Sequence, residues 1–76
     1  MIFKFLDRVV LEHDIPGHGL RKGDLGTVVE TYEPDGLEVE FMTATGDTVA
    51  VLTLSHQDVR QASEDEMLSV RKLSGV

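Results

Sequence analysis

Two clusters in this 76-residue chain hold residue types that could do chemistry. His13, Asp14 and His18 bring two imidazoles and a carboxylate into one stretch, and these are ordinary ligands for zinc or iron. Ser55, His56 and Asp58 hold the three residue types of a hydrolytic relay. Neither spacing supports the chemistry. The first cluster lies in a loop marked by Pro16, Gly17 and Gly19, with no helix to aim ligands at a common point. The second falls within four consecutive positions, where neighbouring side chains point apart and cannot form the relay. Ser55 reads better as the cap of a single tight turn. Phosphate-cradling and dinucleotide-binding glycine motifs do not occur. The expectation is a protein that is not an enzyme, with no cofactor and no metal.

The elements that would carry these residues are short strands. Arg8–Leu11 is the first, followed by the long irregular loop over residues 12–20. Lys22-Gly23-Asp24-Leu25-Gly26-Thr27-Val28-Val29 is a tight loop running into a β-branched stretch, so Gly19, Gly23, Asp24 and Gly26 are read as structural loop residues. Leu25–Tyr32 is the second strand. Pro34-Asp35-Gly36 makes a turn, with positive φ expected at the Asp-Gly step. Leu37-Glu38-Val39-Glu40-Phe41 alternates strictly and reads as half-buried. Thr48–Leu54 is a fourth strand, apolar on both faces, and Val59–Gln61 is a fifth. The predicted fold is all-β: a small SH3-like antiparallel barrel over residues 1–61, with a short C-terminal helical turn or strand in residues 62–76. The expected core is Val9, Leu11, Leu20, Leu25, Val28, Val39, Phe41, Ala50, Leu52, Leu54 and Val59.

Ser63-Glu64-Asp65-Glu66 has the capping-box pattern of a helix start. Met67, Leu68, Val70 and Leu73 then want cover, and so does whichever face of the fourth strand points outward. Residues 63–73 are therefore expected to pack on the barrel, on the same chain or on a second copy. Glu30, Glu38, Glu40, Val49 and Val51 are the candidate protein-binding residues: three carboxylates on paired strands and two valines of an otherwise bare strip.

Fourteen acidic residues against seven basic ones give a formal charge of −7. Nucleic-acid binders take most of their affinity from a basic footprint, so no nucleic-acid partner is expected. An acidic surface favours solubility and a basic partner. The absence of cysteine rules out disulfides and fits a reducing compartment. Met1–Leu6 is too short for a signal-peptide core, and no stretch has the apolar length of a membrane span, so a cytoplasmic location is expected.

The run Asp7-x-Val9-Val10-Leu11-x-x-Asp14-Ile15-Pro16-x-His18-Gly19-Leu20-x-Lys22-Gly23-Asp24-Leu25-Gly26-Thr27-Val28-Val29-Glu30 resembles a family of small bacterial proteins, domain of unknown function 4926. The likeness extends through Glu38–Phe41 and Thr48–Leu54 to about residue 61. It implies an SH3-like fold and offers no catalytic residues to transfer. It also implies a partner protein encoded nearby, of toxin–antitoxin type. The Gly-Asp-x-Gly-x-Val core alone is similar to KOW-type barrels. The expected function is a non-catalytic protein-binding module, the neutralising partner of a neighbouring-gene toxin; the alternative is a KOW-like module that binds RNA or a ribonucleoprotein. A homodimer is compatible with either.

Overall fold

A computed structural model describes residues 2–68, with the side chains of Met67 and Leu68 excepted. Five strands, β1 (Arg8–Leu11), β2 (Leu25–Tyr32), β3 (Gly36–Met42), β4 (Thr48–Ser55) and β5 (Val59–Gln61), form one antiparallel sheet in the order β4-β3-β2-β1-β5. A short helix, α1 (Glu64–Leu68), follows. The all-β expectation holds. The sheet does not close edge to edge, because β4 and β5 are its two ends and do not pair.

The inner face is built on β3. Leu37, Val39 and Phe41 are fully buried, as the alternation of that strand requires, and Val9, Leu11, Val28 and Val59 join them from the neighbouring strands. Leu20 comes from the long loop and Phe3 from the segment before β1. Four residues expected in the core differ. Leu25, Ala50, Leu52 and Leu54 are only half-buried. The last three lie on the edge strand β4, which has a neighbour on one side only, so their inner faces are incompletely covered. Leu25 pairs with Val10, whose side chain projects to the face opposite Val9. Val10 is nonetheless 2% exposed and belongs to no part of the main core.

Gly26 lies inside β2 rather than in the loop before it. Its role is space, since a Cβ there would lie 2.6 Å from Val39 Cγ1 and 2.8 Å from Phe41 Cε1. The missing side chain lets β3's two large inner residues press against the β2 backbone. Gly23 serves the loop itself, at φ +95°. The β2–β3 turn also differs from expectation. Gly36 pairs with Tyr32 and does not adopt positive φ, and the Glu33–Pro34 peptide is cis.

Two caps follow the sequence signals. The Ser55 side chain accepts the Gln57 N–H, and the Ser55 N–H donates to Asp58 at 2.8 Å, closing a capping box around the 3-10 turn His56–Asp58. At α1, the Ser63 N–H donates to Glu66 and the Glu66 N–H to the Ser63 hydroxyl. The packing expected of Met67, Leu68, Val70 and Leu73 on the barrel falls on side chains outside the described residues.

Replacing Gly26 by valine is expected to abolish the folded state, since both obstructing groups belong to the buried core and overpacking of one methylene already costs about 1–3 kcal/mol. Thermal unfolding followed by circular dichroism checks this. A variant that melts cooperatively at the wild-type temperature would show that β3 does not lie over Gly26.

Candidate binding surface

The outer face of the sheet can be read row by row from the register. Arg8 pairs with Thr27, Thr27 with Glu40 and Glu40 with Val51, so these four side chains cross the sheet in one row. In the next row Glu30 stands opposite Glu38, and Glu38 opposite Thr53. Three of the sequence-derived candidates, Glu30, Glu38 and Glu40, therefore share one face, with two carboxylates directly opposed. Like charges so placed destabilise a sheet modestly. β4 holds two of them in place. The Thr48 hydroxyl donates to Glu40 at 2.7 Å, and the Thr53 hydroxyl donates to Glu38.

The two valines do not behave alike. Val51 projects outward and is 49% exposed. Val49 sits at the register shift between Phe41 and Met42, is half-buried and packs against the core. The bare apolar strip expected along β4 is thus reduced to Val51, with Thr53 beside it engaged by a carboxylate. An open groove of about 410 Å³ borders this row, lined by Arg8, Thr27, Glu40, Met42, Thr43 and Gly46 among others. Its ionisable groups are one guanidinium and one carboxylate.

An apolar border escaped the sequence reading. Lys4–Asp7 is a four-residue turn closed by the Asp7 N–H on the Lys4 carbonyl, and it displays Phe5 and Leu6 at 64% and 60% exposure. Leu6 adopts φ +73°, a left-handed conformation that costs a residue with a side chain about 1–2 kcal/mol. Its N–H donates to the Val28 carbonyl, two residues along β2 from Glu30. The apolar run from Met1 to Leu6 was the one available signal. Nothing in it marked which residues turn inward, as Phe3 does.

The two catalytic-looking clusters resolve differently. His13 Nε2 lies 2.7 Å from Asp58 Oδ1, and His13 Nδ1 lies 3.0 Å from the Asp14 carbonyl. Carboxylate and carbonyl oxygens are acceptors, so both contacts favour the protonated ring. Its pKa is raised, first by the hydrogen bond to Asp58 and then by that to Asp14. Asp58 is held below the usual carboxylate value by the Ser55 N–H and by His13. Both ring nitrogens are engaged in these contacts. The Asp14 carboxylate accepts the Lys22 N–H at 2.8 Å, and no group of metal-ligating side chains forms among the described residues. His56 sets its ring edge-on to Phe3 at 5.1 Å, and its buried Nε2 has no partner among the described residues. Asp24 is buried; its carboxylate accepts the Arg21 N–H, and its backbone carbonyl accepts the Leu11 N–H. Gly19 adopts φ +68° at the end of the 3-10 turn Pro16–His18.

The model of one family, described as Domain of unknown function (DUF4926), matches residues 5–61. The chain belongs to that family. The match spans every strand and stops where β5 ends, before α1. No curated protein and no solved structure matches the chain. Among the described residues no helix is long and apolar enough to cross a membrane.

The His13–Asp58 clip makes stability depend on pH with a definite sign. His13's folded pKa lies above its unfolded value, so its contribution is complete below about pH 6.5 and is lost as pH rises through the folded pKa. The melting temperature of wild type is expected to fall between about pH 6 and pH 8 more than that of His13→Gln. Equal slopes in the two proteins would show that the clip does not form.

Proposed function

We infer that this DUF4926 chain is an SH3-like, non-catalytic module that binds a basic protein through its outer sheet face. The observation that carries the reading is the register-matched acidic row: Glu30 opposite Glu38, with Glu40 alongside, two of the three fixed by threonine hydroxyls. A like-charge pair that costs stability in the free protein is relieved when a cation docks on it. The turn bearing Phe5 and Leu6 supplies apolar contact next to it, and its left-handed leucine is an outlier of the kind that collects at functional positions. The SH3-like reading draws support from the strand order, the long loop between β1 and β2 and the 3-10 turn that joins β4 to β5. The partner we favour is the product of a neighbouring gene, a toxin neutralised by contact in the cytoplasm. An RNA-binding role of KOW type has the charge balance against it.

The test is a pull-down from the native host with the wild-type chain and with Glu30→Lys/Glu38→Lys, both shown to be folded. A neighbouring-gene protein enriched by wild type and lost with the reversed charges is the expected result. Equal recovery by both proteins would remove the acidic face from the account. RNA bound at micromolar concentration, weakening steeply as salt rises, would replace this reading with the KOW-like one.

A further inference from the structure

The groove beside the outer row has a charge pattern that an acidic face alone does not account for. Its two ionisable side chains carry opposite signs and stand on opposite banks: Arg8 on β1 and Glu40 on β3, with Thr27 of β2 between them. Their backbones are two strand spacings apart, about 10 Å. They do not pair with each other. Among the described residues the Arg8 guanidinium makes no ion pair and no hydrogen bond, whereas Arg60, the other arginine on the sheet, is tied to Glu66 and Glu12. Glu40 is held from the β4 side, where its Oε2 accepts the Thr48 hydroxyl at 2.7 Å, which leaves Oε1 for a second donor. Leu25, Met42 and Ala44 add apolar wall, and the volume of about 410 Å³ falls within the roughly 300–1,000 Å³ of ligand clefts.

We propose, on the reading that the outer face is where the partner protein docks, that this groove seats an extended segment of the partner with an acidic and a basic residue two positions apart, the carboxylate on Arg8 and the cation on Glu40. Charge complementarity selects this occupant. A segment basic throughout would press a cation onto Arg8 as it settled along the row, and like charges brought together in a contact count against a partner. A segment acidic throughout would meet Glu40, with Glu38 and Glu30 in the next row. One residue of each sign satisfies both banks. In an extended chain residues two apart project to the same side about 7 Å from each other, and the flexible side chains of both proteins span the rest of the gap. Long charged side chains also carry apolar stems, which Leu25 and Met42 are placed to cover. Further bases of the partner then reach Glu38 and Glu30. The carboxylates draw cations to the face, and Arg8 makes it selective by requiring one carboxylate among them.

The test is an NMR titration of the full chain with three end-blocked pentapeptides, Ala-Glu-Ala-Lys-Ala, Ala-Lys-Ala-Lys-Ala and Ala-Glu-Ala-Glu-Ala. The mixed peptide is expected to move the amide signals of Arg8, Thr27, Glu40 and Met42 to saturation and to bind the wild type more tightly than either single-sign peptide. Arg8→Gln and Glu40→Gln are each expected to weaken it about tenfold, the loss of one hydrogen bond between charged groups. Arg8→Gln should in addition stop discriminating against the dibasic peptide. Glu30→Lys/Glu38→Lys, which changes no residue of the groove, should still bind the mixed peptide, so loss of the partner in that variant's pull-down is read separately. Absence of a saturable shift overturns the proposal, as does a dibasic peptide that binds wild type as tightly as the mixed one. Shifts of the same four amides in Arg71→Ala/Lys72→Ala without any peptide also overturn it, since the chain's own basic pair would then occupy the groove.

Discussion

The bare backbone of Gly26 under Val39 and Phe41 is the constraint from which the rest of the structure follows. A small domain buries a limited share of its surface, roughly 60% of what the unfolded chain exposes, so each close approach in its core counts. At Gly26 the β2 backbone itself serves as core surface, and β3 can bury its whole inner row against it. The inward placement of Leu37, Val39 and Phe41 forces Glu38 and Glu40 outward, because side chains alternate along a strand. The acidic face is therefore the reverse side of the hydrophobic core.

Carboxylates do a second kind of work in this chain. With no disulfide to tie the long loop, Asp14, Asp24 and Asp58 accept backbone N–H groups from Lys22, Arg21 and Ser55. Two of these donors lie in the loop between β1 and β2, and the third closes the end of β4 onto the cap of the 3-10 turn. The charge of −7 is thus not one feature. Part of it organises loops and caps, and part, at Glu30, Glu38 and Glu40, stands on the open face. Only the second part enters the proposed binding of a basic partner.

Local signals made the strands, the Ser55 cap and the Ser63 capping box legible, because each depends on residues a few positions apart. The strict alternation of residues 37–41 disclosed both the buried row and the acidic one. Long-range facts were hidden. His13 and Asp58 meet across 45 positions, and nothing in either neighbourhood announces the other. Gly26 was recognised as special, yet whether it served a turn or a close approach depended on what lay above it. The β4 leucines looked like core by composition. Their partial exposure follows from strand order, which periodicity does not encode. The turn at Pro34-Asp35-Gly36 was placed correctly, and its backbone conformation was not.

A double-mutant cycle at Gly26 tests the central constraint most directly. Stability is measured for wild type, Gly26→Ala, Val39→Ala and the double variant by denaturant unfolding. If β3 closes over bare backbone, the alanine at 26 destabilises the wild type but is better tolerated once Val39 has been shortened, with a coupling within the range of about 0.5–3 kcal/mol found for residues in contact. Additive losses at the two positions would contradict the account, since Val39 and the β2 backbone would then not share the space on which the fold is built.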